Sequence, residues 1–283
     1  MFVPNADSIT TRWVCQIAGG GILLAGGAAA LALLWLAQRR RGAGVPFPAA
    51  ARLASLPFSG FHAAVTLGIT LLFALASLHP MAENALPPDD RALVLGPLLY
   101  ACSSVMVVML CRAHTGCGLR QMFFSGPAGP AAAVAKGLLY GLAVIPPVAL
   151  LSILVSAGLE AWGIAPQHQE VFNWLGDESR APGTRLFMMG AAVFLAPLSE
   201  EALFRGLLFP FLLRGRTVIA AAWVSSLYFA LVHLHLASFL PLMALGMAFS
   251  AGYAATGSLL TPITMHALFN LASLIFYLAD PLP

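Results

Sequence analysis

Long apolar runs recur along almost the whole of this 283-residue chain. The hydrocarbon core of a bilayer is about 30 Å thick, so a helix needs about 20 apolar residues to cross it. Hydrophobic residues make up 60% of the chain and charged residues only 9%, which leaves too few polar side chains to cover a water-soluble core. The sequence therefore predicts an all-α fold, a polytopic bundle of transmembrane helices.

The apolar runs predict about eight membrane spans joined by short polar connections. Their approximate bounds are 13–37, 61–79, 92–111, 131–157, 185–213, 217–235, 238–257 and 261–279. We group residues 1–184 as N-terminal helices (spans one to four) and residues 185–283 as the core (spans five to eight), within one integral-membrane domain. Pro197 is expected to kink or break span five.

Charged residues are distributed unevenly between the connections on the two sides of the predicted bundle. One side carries no acidic residue and nine basic ones, namely Arg39, Arg40, Arg41, Arg52, Arg112, Arg120, Lys136, Arg214 and Arg216. The other side carries four basic residues and most of the acidic ones. Basic residues concentrate in cytoplasmic loops, so we predict a multi-pass cell-membrane protein with both termini outside the cytoplasm. Nothing in this distribution suggests binding to nucleic acid.

Three ionisable residues lie inside the fifth predicted span, in the segment APLSEEALFRG at 196–206. Three unpaired charges at the centre of a bilayer would oppose insertion by roughly 8–10 kcal/mol. Glu201 and Arg205 are four residues apart and lie about 40° apart around a helix axis, so they can form an ion pair. Glu200 points about 100° away from Glu201 and needs another partner.

Later spans supply polar side chains that could share a pocket with Glu200. Span six contains FALVH, ending at His233, and span eight contains HALFN, from His266 to Asn270. Each residue alone could be a helix–helix hydrogen-bonding group. One shared pocket, however, satisfies all of them at lower cost than several separate pockets.

Such a pocket would contain the groups needed to hydrolyse an amide without a serine or cysteine nucleophile. A carboxylate and an imidazole can activate water, while a second imidazole and a carboxamide can donate to an oxyanion. A glutamate and two histidines are also a common zinc ligand set. The HExxH spacing is absent, so nothing in the sequence requires a metal. The spacing of Cys111, His114 and Cys117 is a weaker hint of metal binding, and we expect these side chains to be unligated.

The three motifs EExxxR, FxxxH and HxxxN occur in this order, each on its own apolar run. With them the sequence resembles the CPBP, or Abi, family of intramembrane proteases, which is related to the type II CAAX prenyl endopeptidase. The resemblance covers about residues 185–279. It implies an eight-span helical fold with a water-accessible cavity that opens into the bilayer.

The resemblance also implies a role for each matching residue. Glu200 would activate water together with His233, while His266 and Asn270 would stabilise the oxyanion. The supporting residues would be Glu201, Arg205 and the packing residue Phe229. The family is often labelled metalloprotease, but its mechanism can be written without a metal. We expect no required cofactor, the alternative being zinc on Glu200, His233 and His266.

We therefore predict an intramembrane endopeptidase that hydrolyses a peptide bond in a membrane-associated substrate. Its partners would be the lipid bilayer and a peptide or lipidated protein, either a prenylated CAAX-type substrate or a leader peptide. One alternative is an ion- or proton-coupled transporter with Glu200 and the histidines as a relay. Another is a non-catalytic membrane scaffold or immunity protein. The absence of an inverted repeat argues against the transporter.

The predicted bounds place the two histidines at different depths. His233 lies near the outer end of span six, whereas His266 lies near the inner end of span eight. A shared pocket therefore requires span seven to be tilted, broken at Pro241 or re-entrant, or span eight to begin earlier than residue 261.

Overall fold

The computed structural model describes residues 14, 16–29, 47–77, 89–124, 126, 129–165, 170–177 and 179–279. Within these ranges the regular structure is helical, with one isolated bridge between Phe124 and Ser258, so the predicted all-α fold is confirmed. In chain order the helices are α1 (Gln16–Ala29), α2 (Ala50–Ala54), α3 (Gly60–Ala76), α4 (Asp90–Thr115), α5 (Leu119–Phe123), α6 (Pro130–Ala161), α7 (Glu170–Gly176), α8 (Pro182–Leu212), α9 (Val218–Leu231), α10 (Leu236–Thr256) and α11 (Leu260–Ala279).

Five of the described helices are long and apolar enough to cross a membrane, namely α4, α6, α8, α10 and α11. Three shorter apolar helices, α1, α3 and α9, lie where the other spans were predicted. The predicted number of eight spans is therefore not confirmed. Helix α9 has 14 residues, and at about 1.5 Å per residue it is shorter than a bilayer core is thick. Residues 30–37 of the first predicted span lie outside the described residues.

Helix α8 is continuous, but two of its turns are widened into π-helix. The first π segment is Ala191–Leu195 and the second is Phe204–Leu208. Each precedes a proline, Pro197 and Pro210 respectively. Proline lacks an N–H and its ring clashes with the carbonyl four residues earlier, and a wider turn accommodates both defects. The helix therefore widens before Pro197 and does not break there. The short α-helical stretch between the two π segments carries both glutamates.

Helices α4 and α6 of the N-terminal half pack against helices α8 and α11 of the C-terminal half. The most extensive contacts join α9 to α10 and α6 to α11, while α4 lies along the middle of α8. The largest buried cluster includes Phe204, Phe209, Phe249 and Tyr253, which are at most 1% exposed. The proposed division at residue 184 and the orientation of the termini stay predictions.

A backbone connection ties the end of α5 to the turn between α10 and α11. Leu259 donates its N–H to the Phe123 carbonyl at 2.9 Å, and Gly126 donates to the Gly257 carbonyl at 2.9 Å. The hydroxyl of Tyr253 donates to the Met122 carbonyl at 2.9 Å. We call residues 122–124 together with Gly126 the strap. It fixes the turn from which α11, the helix of His266, begins.

Replacing Gly257 with alanine is expected to destabilise the protein by about 1–3 kcal/mol. Gly257 has a φ of +68°, and a Cβ there would lie 2.7 Å from the backbone nitrogen of Gly126 in the strap. Gly116→Ala is the matched control, because its φ is +69° but a Cβ would meet no atom within 4 Å. The free energies of unfolding of the two variants in detergent should differ. Equal losses would mean that the strap does not crowd Gly257.

Candidate active site

The side chain of Glu200 lies at the centre of the candidate site, on α8 between the two π segments. It is 16% exposed, and its Oε2 atom is buried with no hydrogen-bond partner among the described residues. Two histidine nitrogens face this oxygen: Nε2 of His266 at 3.8 Å and Nε2 of His233 at 4.0 Å. The predicted meeting of this carboxylate with both rings is therefore present in the structure.

The ring of His233 is held in place by its own backbone. Its Nδ1 lies 2.7 Å from the Phe229 carbonyl, one turn earlier. Because a carbonyl only accepts, Nδ1 carries a hydrogen, and in the neutral ring the lone pair is on Nε2. Leu234 follows with a φ of 51°, in the left-handed region that side chains other than glycine rarely adopt. This local strain reverses the chain directly after His233.

The ring of His266 is fixed by Glu201. Its Nδ1 lies 2.9 Å from Glu201 Oε1, and the ring stacks on Phe249 with a centroid distance of 4.9 Å. The same Glu201 oxygen accepts from Arg205 Nη1 at 3.0 Å, which is the ion pair that helical spacing predicts. Glu201 thus links the ion pair to the ring and turns Nε2 of His266 towards Glu200. Nothing in the sequence indicates this second contact.

The guanidinium of Arg205 is completely buried and makes contacts in two directions. Its Nη2 donates to the Gly246 carbonyl of α10 at 3.0 Å. Its Cζ lies 4.8 Å from the ring centroid of Phe229 and 5.3 Å from that of Phe249. A Cβ at Gly246 would lie 3.1 Å from Arg205 Nη2 and 2.8 Å from Ser226. Only glycine therefore permits this close contact between α10 and the ion pair.

Phe229 packs at the meeting point of these groups, as predicted. The residue is 0% exposed, and its ring lies edge-on to both histidines, with centroid distances of 4.7 Å to His233 and 5.9 Å to His266. It has no polar side-chain atom, and its ring packs against the guanidinium of Arg205.

Asn270 lies one turn after His266 and contacts the first π segment of α8. Its Nδ2 donates to the Ala192 carbonyl at 2.8 Å. A π turn displaces the regular backbone hydrogen bonds, which makes a carbonyl available for a side chain. One hydrogen of the carboxamide is used there, and the second remains for another acceptor. Asn270 therefore ties α11 to the α8 turn that precedes Glu200.

Sequence reasoning missed a tyrosine contributed by the N-terminal half. Tyr100, on α4, is close enough to Glu200 and Glu201 to interact electrostatically with both. Its ring lies edge-on to Phe73 of α3 at a centroid distance of 5.0 Å. A single tyrosine in an apolar run has no distinctive spacing, so no sequence signal could have identified it.

The positions of the helix ends explain how His233 and His266, which were predicted at different depths, can reach the same pocket. Helix α9 ends at Leu231, so His233 belongs to the turn before α10 and lies outside both helices. Helix α10 is continuous through Pro241, and α11 begins at Leu260, one residue before the predicted start. The turn at His233 thus reaches the pocket itself, without any break in α10.

Metal binding has little support in the described part of the chain. No three His, Cys, Asp or Glu side chains there are grouped so that they could hold a metal ion. The prediction of metalloprotease-like chemistry is accordingly not supported. Near Cys111, His114 and Cys117, whose side chains were expected to be unligated, His114 Nδ1 lies 3.1 Å from His62 Nε2. Cys117, in the loop before α5, is buried, which raises the pKa of its thiol and disfavours the metal-binding thiolate.

Comparison with protein families agrees with this geometry. The model of the Rce1-like type II CAAX prenyl endopeptidases matches residues 182–272, from the start of α8 to just beyond Asn270. Over these residues the chain is similar to the type II CAAX prenyl endopeptidases, the family that the three motifs indicated. The long apolar helices and this match together support an integral membrane protein of the protease kind. Comparison with curated proteins and with solved structures gave no match.

Proposed function

We propose that this protein is an intramembrane endopeptidase that hydrolyses a peptide bond with a water activated by Glu200. The observation that carries the proposal is the convergence of two imidazole nitrogens, at 3.8 and 4.0 Å, on a buried carboxylate oxygen that has no hydrogen-bond partner among the described residues. These distances are too long for direct hydrogen bonds. They suit a single water molecule about 2.8 Å from each group.

In the proposed reaction Glu200 takes a proton from this water while the water oxygen attacks the scissile carbonyl carbon. His233 holds the water through Nε2. The tetrahedral intermediate then collapses as the C–N bond breaks, and the proton held by Glu200 passes to the leaving amine. The immediate products are a carboxylic acid and an amine. Transfer of the acid proton to the amine leaves a carboxylate and an ammonium group, so atoms and charges balance without a covalent enzyme intermediate.

The oxyanion would be stabilised by His266 and by the second amide hydrogen of Asn270. For His266 to donate from Nε2 while Nδ1 donates to Glu201, the ring must carry both protons. Its positive charge and that of Arg205 then balance the two glutamates, so the buried cluster is neutral overall. An uncompensated charge there would be costly, so this protonation pattern fits the surroundings.

We also propose a class of substrate, a peptide or protein that is held at the membrane. The catalytic groups lie among membrane helices, so the scissile bond must come close to the bilayer. A prenylated CAAX-type protein and a leader peptide both meet this condition. A library of paired peptides, lipidated and unlipidated, would separate the two, because only the first class should require the lipid.

Cleavage of that library should be lost in His266→Ala, by about a hundredfold or more in kcat/KM, because an oxyanion donor contributes on that scale. His114→Ala is the matched control, since this histidine lies at the far end of α4 and should leave cleavage near the wild-type rate. Product masses identify the cut site. If His266→Ala cleaved as fast as wild type, His266 would have no part in the mechanism, whereas no cleavage by wild type itself would favour a transporter or scaffold.

A further inference from the structure

Two histidines outside the catalytic pocket face each other where α3 meets the end of α4. His62 lies in the first turn of α3 and is 1% exposed, whereas His114 lies in the last turn of α4 and is exposed. The Nδ1 atom of His114 lies 3.1 Å from Nε2 of His62, and the ring centroids are 5.0 Å apart. We call these two residues the histidine pair. The proposed catalytic mechanism uses neither of them.

The hydrogen positions in the histidine pair follow from the backbone of α3. Ser59 is the N-cap of this helix, and its backbone N–H donates to Nδ1 of His62 at 2.9 Å. Because this Nδ1 accepts, the neutral His62 ring carries its hydrogen on Nε2 and donates it to Nδ1 of His114. The neutral His114 ring then carries its own hydrogen on Nε2. Each ring thus already uses its one acceptor nitrogen.

An additional proton can bind only at one of these two acceptor nitrogens. On Nδ1 of His114 it would face the Nε2 hydrogen of His62, and on Nδ1 of His62 it would face the Ser59 N–H. Two N–H groups that face each other form no hydrogen bond, so an added proton breaks one of the two links. A histidine in water takes up a proton without this loss, at about pH 6.5. Acid therefore favours an opened pair with its rings in water.

The charges around the histidine pair favour the same outcome. His62 interacts electrostatically with Arg214, on the segment after α8, as well as with His114. Helix α3 also packs against the second π segment, whose charged residue Arg205 is paired with Glu201. No Asp or Glu occurs in the described segments closest in sequence to the pair and to Arg214, namely 47–62, 111–124 and 213–217. A proton on either ring would therefore add a positive charge that no carboxylate in these segments compensates.

We propose that the histidine pair is a pH-sensitive latch, closed while both rings are neutral and opened by protonation. When closed, the latch joins the first turn of α3 to the last turn of α4. His114 gives the proton access to the pair, because its ring is exposed while His62 is buried. Opening should weaken the contact between α3 and α4 and leave the chemistry at Glu200 unchanged. The stability of the protein should then fall as the pH drops below about 6.5.

The test compares the melting temperatures of wild type and His62→Gln in detergent at about pH 7.5 and pH 5.5, one unit either side of 6.5. Glutamine three residues after an N-cap serine completes a capping box, so this variant keeps the start of α3 without a titrating ring. On acidification wild type should lose about 2–4 °C more than His62→Gln, the shift that one lost hydrogen bond gives. His114→Gln leaves the start of α3 untouched and should also reduce this extra loss. Circular dichroism at the higher pH checks that the variants fold.

His233→Gln is the matched control, because the same substitution there removes a titrating ring from the catalytic pocket. It should keep the extra loss of melting temperature that His62→Gln abolishes. Equal changes in wild type, His62→Gln and His114→Gln would overturn the latch, since the pair would then not titrate between the two pH values. A loss that disappears in His233→Gln and persists in His62→Gln would overturn it as well and assign the titration to the catalytic pocket.

Discussion

Replacing Glu200 with glutamine is expected to lower kcat/KM for peptide cleavage by about a thousandfold, within the range that a general base contributes. Glutamine has nearly the same shape but cannot take a proton from water. The Glu200 side chain is 16% exposed and its inner oxygen has no hydrogen-bond partner in the described structure. The substitution therefore breaks no hydrogen bond to that oxygen, and the fold should persist. The loss should appear in kcat, with KM little changed.

Glu160→Gln supplies the matched control for this measurement. Glu160 is an exposed carboxylate near the end of α6, so its neutralisation should leave kcat at the wild-type value. Melting temperatures of both variants verify that they fold equally well. Cleavage by Glu200→Gln within about tenfold of wild type would be too small a loss for a general base and would remove Glu200 from the mechanism.

Replacing Arg205 with methionine is expected to cost about 3–5 kcal/mol of stability, the usual result of breaking a buried ion pair from one side. Both side chains of the Glu201–Arg205 pair are 0% exposed, so the variant leaves the Glu201 carboxylate buried without its guanidinium. The double variant Glu201→Gln/Arg205→Met removes both charges and should recover part of this loss. The free energy of unfolding in detergent measures both effects.

Activity should not recover with stability in that double variant. Glutamine at position 201 has no negative charge to hold the Nδ1 hydrogen of His266, which lies 2.9 Å from Glu201 Oε1 in the wild type. The ring then loses the group that orients Nε2 and balances its charge. Arg216→Met is the control for loss of a positive charge at an exposed site. A loss of stability in Arg205→Met no greater than in Arg216→Met would contradict a structural ion pair.

The contacts that the sequence predicts are those set by helical spacing. Glu201 and Arg205 are four residues apart on one helix, so their ion pair follows from α-helix geometry alone. The meeting of Glu200 with His233 and His266 followed from the high cost of burying polar groups separately. The first prediction needs only helix geometry, and the second needs only the low polarity of the membrane.

The contacts that escaped prediction depend on tertiary packing or on irregular backbone. The link from Glu201 to His266 requires the rotation of α8 against α11, which no spacing specifies. The Asn270 contact depends on the π segment that exposes the Ala192 carbonyl. The predicted bounds of span six were too long because the apolar run 217–235 continues through the turn after α9, which ends at Leu231. Hydropathy does not distinguish an apolar turn from an apolar helix.

A crystal structure at a resolution that shows ordered water, with data collected at the zinc absorption edge, would show directly whether a water molecule or a metal ion lies beside Glu200. We expect one solvent peak, without anomalous signal, within hydrogen-bond distance of Glu200 Oε2 and of Nε2 in His233 and His266. A peak with zinc anomalous signal, about 2.1 Å from these atoms, would contradict it and assign the chemistry to a metal. A Glu200 side chain turned towards the acyl chains would contradict it as well.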